Sequence, residues 1–463
     1  MAQNKANVLN LGKNPTSTVL ILAWPTILEQ LVMSIMNLAD TAMVGSLGSD
    51  ATAAVGIVLP LMWLVNGLCA AISTGFSVMV AHAIGAENMA KASSATSKSI
   101  FASALLGGGI GMLGLLFYRQ MPLWMGAKPE TAGLASSYFA IMCLSTLFNM
   151  ASVTCSAILR SCGKTKTPLI VNTMAIAFNF IFNFLLIFSP RHVTIFGREH
   201  FIWGAGLGVA GAALGTMLAI AISFFLLLYA LCRNDRGIFI TRHDMFTFDK
   251  EIYMGACSVG IPIALERMTI SLGQIAYMRI ISGMGTMYVA AHHLANQAES
   301  LSYLPCFGFS AAATTLVGQA MGAKDYESAE RFGSIAAKIG IFMSLLASAV
   351  LFFGGRGIIS VFSTDPVIIN MGANLLKIVA LGQQFQAASI IYAGGIRGTG
   401  ESRAPFYIGL TGIWGIRIVL CIIFVFVFKM KLYAAWVAML IDMAYRGYAT
   451  YVCYKRRFKK LMA

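Results

Sequence analysis

The chain has 463 residues, of which 58% are hydrophobic and only 11% are charged, and its mean hydropathy is +0.76. Because a soluble domain carries about 25% charged residues, this composition excludes a water-soluble globular protein. The net charge of +15 would favour nucleic-acid binding in a soluble protein. Here the basic residues lie in short loops between apolar segments, so we expect no nucleic-acid partner.

Apolar segments follow one another along the whole chain, and each is long enough for the roughly 20 residues of a membrane-spanning helix. In the first half they cover residues 16–44, 51–83, 94–118, 133–159, 168–189 and 204–232. In the second half they cover residues 251–282, 287–320, 332–354, 367–395, 405–428 and 432–454. The sequence therefore predicts an all-α integral membrane protein with twelve transmembrane helices, six in each half.

The second half of the chain repeats the first at a fixed offset of 237 residues. The matched pairs include Pro25 with Pro262, Glu29 with Glu266, Gly85 with Gly322, Arg160 with Arg397 and Pro168 with Pro405. A long repeat of apolar helices is typical of transporters built from two related bundles with a substrate path between them. We predict a lobe over residues 1–232, a cytoplasmic linker over 233–250 and a second lobe over 251–463. Since six is an even number, the lobes are pseudo-symmetric parallel repeats about an axis along the membrane normal.

Basic residues in the loops predict the orientation in the membrane. Placing the amino terminus inside puts Arg160, Lys164, Arg233 and Lys250 in cytoplasmic segments, whereas the opposite loops hold fewer basic residues. The positive-inside rule then places both termini in the cytoplasm. We expect a multi-pass protein of the plasma (inner) membrane without a cleavable signal, whose basic tail lies against anionic membrane lipids.

Two prolines, Pro25 and Pro262, lie well inside the first span of each lobe. An interior proline removes a backbone hydrogen bond and favours a kink. We therefore predict a structural hinge at each proline.

Motifs of soluble enzymes occur but lack the structural context that they require. Residues 206–211 (GLGVAG) match a dinucleotide fingerprint, but they lie inside a predicted span with no preceding strand. Gly163 and Lys164 resemble the end of a phosphate-binding loop, but Ile158 occupies the position of its first glycine. The sequence therefore predicts neither an enzyme nor a cofactor.

Ionisable side chains inside the spans are the candidate functional residues, because each of them is costly in lipid. Asp40 lies near the outer half of the first span, and Glu299 lies midway along the eighth. Glu29 and Glu266 are repeat mates one turn past the prolines. Asp40 has no basic neighbour in its helix, which makes it the strongest candidate.

Ion pairing is the alternative role for the other acids. Asp442 and Arg446 lie four residues apart and could pair, and Arg267 or Arg279 could neutralise Glu266 or Glu299. A carboxylate that instead binds either H⁺ or an organic cation would give antiport by competition, since both need the same charge. We therefore keep substrate or proton binding as the second interpretation of both glutamates.

Amide and hydroxyl side chains accompany Asp40. Asn179 and Asn183 lie four apart on one face of the fifth span, and Thr216 lies in the sixth. A carboxylate with amide and hydroxyl oxygens suits a hard cation such as Na⁺, and the same carboxylate could instead bind a proton.

At these residues the chain resembles the multidrug and toxic compound extrusion (MATE) family. The resemblance is carried by residues 39–45 (ADTAMVG), 260–262 (GIP) and 312–319 (AATTLVGQ), and it extends over essentially all twelve spans. It implies two six-helix lobes in a V shape, alternating access, and export of organic cations in exchange for H⁺ or Na⁺.

The resemblance also implies roles for individual residues. It places a cation-coupling site at Asp40, Asn179, Asn183 and Thr216, with an amide at 183 where the family pattern has an acid. Some members use acids of the seventh and tenth helices, where this chain has Glu266 and the pair Gln383 and Gln384. Glu299 is then expected to take part of that role.

Two other transport functions are alternatives. A lipid-linked oligosaccharide flippase would expose basic residues to its cavity for a pyrophosphate, whereas Asp40, Glu266 and Glu299 favour a cationic substrate. A dedicated exporter of an endogenous metabolite has no feature that separates it from a drug exporter. We expect small organic cations and membrane lipids as partners, and a monomer.

Overall fold

The computed structural model describes residues 8–9, 14–195, 198–233 and 239–463. The first half contains α1 (Pro15–Gly45), α2 (Ser49–Gly85), α3 (Met89–Leu116), α4 (Gln120–Trp124), α5 (Pro129–Ser161), α6 (Lys166–Ile187) and α7 (Gly208–Cys232). A short α8 (Arg242–Phe246) precedes the second half, which contains α9 (Lys250–Ser282), α10 (Thr286–Ser302), α11 (Leu304–Gly322), α12 (Tyr326–Ser360), α13 (Pro366–Ala380), α14 (Gln383–Gly398), α15 (Arg403–Leu410), α16 (Val419–Ile422) and α17 (Leu432–Met462). Two π-helical stretches, Thr411–Ile418 and Ile423–Val427, lie on either side of α16. Together with α15 and α16 they form one continuous helix.

Twelve long helical segments follow one another in the described part of the chain, as the sequence predicts. Eight are long and apolar enough to cross a membrane as single helices. Two more are bent pairs, α10 with α11 at 41° and α13 with α14 at 51°. The other two, α9 and α17, are less apolar because they carry Glu266 with Arg267, and Asp442 with Arg446. These four charged residues pack inside the second unit.

The segments between the spans depart from the plain loops expected from the sequence. After α6 the chain forms an antiparallel hairpin of β1 (Arg191–Ile195) and β2 (Arg198–Ile202), with Arg191 opposite Ile202. The predicted linker 233–250 includes residues 234–238, which lie outside the described residues. Its later part packs on α3, since the amides of Phe239 and Thr241 each donate to a serine hydroxyl of α3 at 3.1 Å. The Thr241 hydroxyl also donates to Asp244 Oδ2 at 2.5 Å and lowers the pKa of that carboxyl.

The described residues pack into two compact units. The first comprises residues 28–80 and 88–256, and its core lies among α2, α5, α6 and α7. The second comprises 8–9, 14–27, 81–87 and 257–463, and it buries large side chains such as Tyr277, Phe309, Trp436 and Tyr454. The boundaries proposed from the sequence, which end the first lobe at residue 232 and the linker at residue 250, stay a prediction.

The end of α2 crosses α11 inside the second unit at two glycines. A Cβ added to Gly85 would lie 1.8 Å from the carbonyl oxygen of Gln319, and one added to Gly322 would lie 2.0 Å from that of His82. Gly85 and Gly322 occupy equivalent positions in the repeat, and so do His82 and Gln319. The contact is therefore reciprocal: Gly85 packs on Gln319, and the equivalent Gly322 packs on the equivalent His82. Only glycine permits this separation of the two backbones.

Candidate functional site

A polar cluster in the first unit joins the four residues predicted to couple a cation. Asn183 Nδ2 of α6 donates to Asp40 Oδ1 of α1 at 2.7 Å and lies 3.3 Å from Asn179 Oδ1. Asn179 Nδ2 in turn donates to the hydroxyl of Thr216 on α7 at 3.2 Å. Both asparagines are buried, whereas Asp40 and Thr216 are half-buried. The structure thus brings three helices together through one chain of hydrogen bonds.

Gly215 makes room for this cluster. A Cβ at residue 215 would lie 2.3 Å from Asn183 Oδ1, so the amide occupies the space that a side chain would fill. Asn183 Oδ1 is itself buried and accepts no hydrogen bond from the described residues. The cluster therefore contains one carboxylate and one free acceptor oxygen, and could hold a proton or a small cation.

A second acid of the first unit is tied into a structural network. Glu29 Oε2 lies 3.1 Å from Nη1 of Arg160, and Glu29 Oε1 accepts a bond of 2.7 Å from the Asn172 amide. The hydroxyl of Ser223 donates to Asn172 Oδ1 at 2.8 Å. Glu29 is therefore neutralised by α5 and hydrogen-bonded by α6, and the serine of α7 holds the asparagine in place.

The same ion pair recurs in the second unit at the repeat offset. Nη2 of Arg397 lies 2.8 and 2.7 Å from the two carboxylate oxygens of Glu266. The sequence suggested Arg267 or Arg279 as the partner of Glu266, and the structure shows Arg397 instead. Residue 409, which is equivalent to Asn172, is a glycine beside the Glu266 side chain. The Glu266–Arg397 pair consequently lacks the amide donor that Asn172 provides to the Glu29–Arg160 pair.

Glu299 has a different environment. It is buried in α10 and accepts a hydrogen bond of 3.2 Å from Gln383 Nε2, while Gln383 Oε1 accepts one of 2.9 Å from Ser302. It forms no ion pair with any described residue. Gln384 is not part of this network, because its amide donates to the Leu381 carbonyl at 2.6 Å. Of the two predicted glutamines, only Gln383 contacts an acid.

Asp442 holds two arginines. Arg446 Nε donates to Asp442 Oδ1 at 2.9 Å, as predicted, and Arg417 Nη2 lies 2.7 Å from Oδ2. Arg417 lies in the π-helical stretch 411–418, and sequence reasoning missed it. Gly412 of the same stretch contacts this trio, since a Cβ there would lie 2.4 Å from Asp442 Oδ1.

Two acids and four arginines of the second unit line one cavity of about 210 Å³. Glu266 and Glu299 line it together with Gln386, which accepts a hydrogen bond from Arg446 at 3.3 Å. The four arginines in its wall are Arg267, Arg397, Arg417 and Arg446. Glu266 and Glu299 therefore line the same cavity, in a more basic environment than the sequence suggested.

Both predicted hinge prolines lie within unbroken helices. Pro25 is inside α1 and Pro262 is inside α9. The first unit begins at residue 28 and the second includes residues up to 27, so α1 passes from one unit to the other three residues after Pro25. The hinge role of both prolines stays a prediction.

Comparison with known proteins supplies the family. The MatE family model matches residues 25–185 and again residues 262–423, and the two matches begin at the repeat-related prolines. A relative from Thermotoga maritima, named probable multidrug resistance protein NorM, is 30% identical over 92% of this chain and 89% of its own length. The multidrug export protein MepA of Staphylococcus saprophyticus is 22% identical over 82% of this chain and 80% of its own.

Solved structures agree with this assignment at the level of the fold. An outward-facing multidrug resistance MATE family transporter of the MOP superfamily has a TM-score of 0.89 and 22% identity, covering 100% of this chain and 98% of that one. The predicted all-α, two-lobe membrane fold is therefore confirmed. The chain belongs to the MATE family of multi-pass membrane transporters, which are not enzymes.

Proposed function

We propose that this transporter exports organic cations or drugs from the cytoplasm in exchange for H⁺ or Na⁺ by alternating access. The observation that carries the proposal is the hydrogen-bonded cluster of Asp40, Asn179, Asn183 and Thr216, in which the half-buried Asp40 carboxylate forms no ion pair with the described residues. The names of relatives that are multidrug resistance or export proteins support drugs as the substrate class.

The geometry of the cluster favours H⁺ over Na⁺. Asp40 Oδ1 accepts an N–H from Asn183, and the Asn179 oxygen lies beside the same nitrogen. Hard cations bind several oxygens, and multiply charged sites bind them best. Here one carboxylate supplies all the negative charge, and two amide nitrogens point into the cluster. A proton needs only one carboxylate oxygen, so we infer that Asp40 carries the coupling proton.

Asp40→Asn tests this role. The variant should still bind substrate but should lose transport driven by an imposed pH gradient in proteoliposomes. Asp50→Asn, at the exposed start of α2, is the matched control and should transport at the wild-type rate. Coupling would be disproved at this residue if Asp40→Asn still accumulated a fluorescent cation against its gradient. Transport driven by a Na⁺ gradient at constant pH would reject the choice of H⁺ and retain the antiport.

We further propose that Glu299 binds substrate or a proton in the second unit, with Gln383 as its hydrogen-bond donor. Its carboxylate is buried without an ion pair among the described residues, whereas Glu266 is neutralised by Arg397. Cation affinity should therefore rise with pH, and Glu299→Gln should flatten that dependence. The Glu266→Gln variant should keep the pH slope, since Glu266 has a structural partner. An unchanged slope in Glu299→Gln would reject binding at Glu299.

The membrane orientation is part of the same proposal: both termini lie in the cytoplasm, and the protein works as a monomer. Phe201 in β2 and Phe248 before α9 are both exposed, so cysteines at these positions are accessible to reagents. In a background without the exposed Cys232 and Cys257, Phe201→Cys should be labelled from outside and Phe248→Cys only from inside. The reverse pattern would contradict the orientation.

The substrate class distinguishes the two alternative functions. Efflux of several unrelated dyes and fluoroquinolones would support drug export. Efflux of a single endogenous metabolite would indicate a dedicated exporter. Translocation of a lipid-linked oligosaccharide, with no dye efflux, would indicate a flippase.

A further inference from the structure

The cavity of the second unit carries more positive than negative charge. Four arginines and two glutamates line it, and Asp442 behind its wall pairs with two of those arginines. With every acid ionised, the group therefore has a net charge of +1, and protonation of Glu299 would make it +2. An uncompensated charge is costly inside a membrane protein. The excess implies that a negatively charged group binds there.

Arg267 is the source of the excess. Arg397, Arg417 and Arg446 each contact a carboxylate, whereas Arg267 forms neither an ion pair nor a hydrogen bond with any described residue. Its Nε is buried without an acceptor, and so is Nε of Arg397. Both residues line the cavity. A buried donor without an acceptor costs free energy, and more when it is charged.

We propose that this cavity binds a singly charged carboxylate, with Arg267 as the principal donor and Arg397 as the second. A guanidinium presents paired N–H donors that match the two oxygens of a carboxylate. The cavity of about 210 Å³ is below the roughly 300–1,000 Å³ of sites that enclose a drug-sized ligand. It therefore holds the acidic end of a molecule, and a charge of −1 matches the excess better than a pyrophosphate does.

The occupant that we favour is the carboxylate of a zwitterionic substrate. Glu299 in the same cavity wall is available to the cationic amine of that molecule, so one cavity offers both charges. This inference adds a substrate class to the proposed function but does not depend on the coupling role of Asp40. An inorganic anion such as chloride offers the same chemistry and is distinguished below.

The experiment compares a fluoroquinolone, which bears a carboxylate and an amine, with its methyl ester. Binding of each to the protein in lipid nanodiscs is measured by fluorescence polarisation in a chloride-free buffer that contains no other carboxylate. The acid should bind wild-type protein about tenfold or more tightly than the ester, because a charge-assisted hydrogen bond is lost on esterification. Arg267→Gln should abolish that preference. Arg279→Gln, at the exposed end of the same helix, should keep it.

Chloride distinguishes the two sources of the anion. Wild-type binding of the acid that weakens in chloride, with no such effect in Arg267→Gln, would show that an inorganic anion occupies the same site. Binding that is indifferent to chloride but loses its preference for the acid in Arg267→Gln would assign the site to the substrate carboxylate alone. Equal affinities of acid and ester in the wild-type protein would overturn the proposal, whether or not the variant folds. A preference that persists in a folded Arg267→Gln variant would also overturn it.

Discussion

Replacing Gly215 by alanine should disrupt the Asp40 cluster without changing any polar residue. The new Cβ would lie 2.3 Å from Asn183 Oδ1 and 3.2 Å from the Asn183 backbone nitrogen. Since non-bonded heavy atoms settle at about 3.5 Å, the amide must retreat by about 1 Å. The backbone of Asn183 is also in close contact with the new Cβ, so the side chain must change its conformation, and we expect Asn183 to lose its bond of 2.7 Å to Asp40.

The two energetic consequences of this change differ in sign. A hydrogen bond to a charged group is worth about 1.5–3 kcal/mol, whereas alanine gains about 1 kcal/mol over glycine in a helix. We therefore expect a modest loss of thermal stability and at least a roughly tenfold loss of transport driven by a pH gradient in proteoliposomes. Gly56→Ala, where no atom lies within 4 Å of the new Cβ, is the control. Wild-type coupled transport by a folded Gly215→Ala protein would refute the link between Asn183 and Asp40.

Three further changes test the packing and the ion pairs. Gly322→Ala should be strongly destabilising and should reduce the yield of folded protein, because its Cβ would lie 2.0 Å from a backbone oxygen. Arg160→Gln should lower the unfolding temperature of the purified protein. The loss in free energy of unfolding should be less than the roughly 3–5 kcal/mol for breaking a fully buried pair, since the arginine side chain is 19% exposed. The double variant with Glu29→Gln should recover part of that loss. Asp442→Asn should destabilise more than Arg160→Gln, because it leaves Arg417 and Arg446 sharing no carboxylate.

Each of these predictions has an outcome that would contradict it. Gly357→Ala, in open space on α12, should leave the yield unchanged, and a wild-type yield of Gly322→Ala would mean that the crossing tolerates a wider separation. If the Arg160→Gln protein melted at the same temperature as its double variant, then pairing would not contribute to stability. Wild-type unfolding of Asp442→Asn would show that the two arginines are neutralised by other groups.

Sequence reasoning found the first-unit cluster because its clues are local or carried by motifs. Asn179 and Asn183 share a helix face by their spacing, and Asp40 lies in the motif at residues 39–45. The partners of Glu29 and Glu266 were missed, although each lies 131 residues further along the chain at equivalent positions of the repeat. The predicted spans end at residues 159 and 395, which leaves Arg160 and Arg397 just outside them, and only the structure shows that both side chains reach the acids of the first span in each repeat.

Other features depend on tertiary packing and have no local pattern. The break between α10 and α11 falls at Tyr303. Pro305, two residues later, indicates a helix start there, but the angle of 41° depends on how the two helices pack. The placement of Arg417 beside Asp442 depends on a π-helical stretch, which shifts the face on which later side chains lie. The number and order of spans could therefore be predicted, whereas the balance of charge around the second-unit cavity depends on how distant helices pack against one another.

The reciprocal packing of Gly85 and Gly322 has a consequence for the origin of the chain. Contacts in which each partner presents the same patch to the other define the interface of a twofold homodimer. A six-helix ancestor of one repeat would have met its own copy at this surface, and its assembly would have depended on its concentration. Fusion of two such copies would remove that dependence. It would also let the halves diverge, and one half now has Asn172 beside its glutamate whereas the other has Gly409.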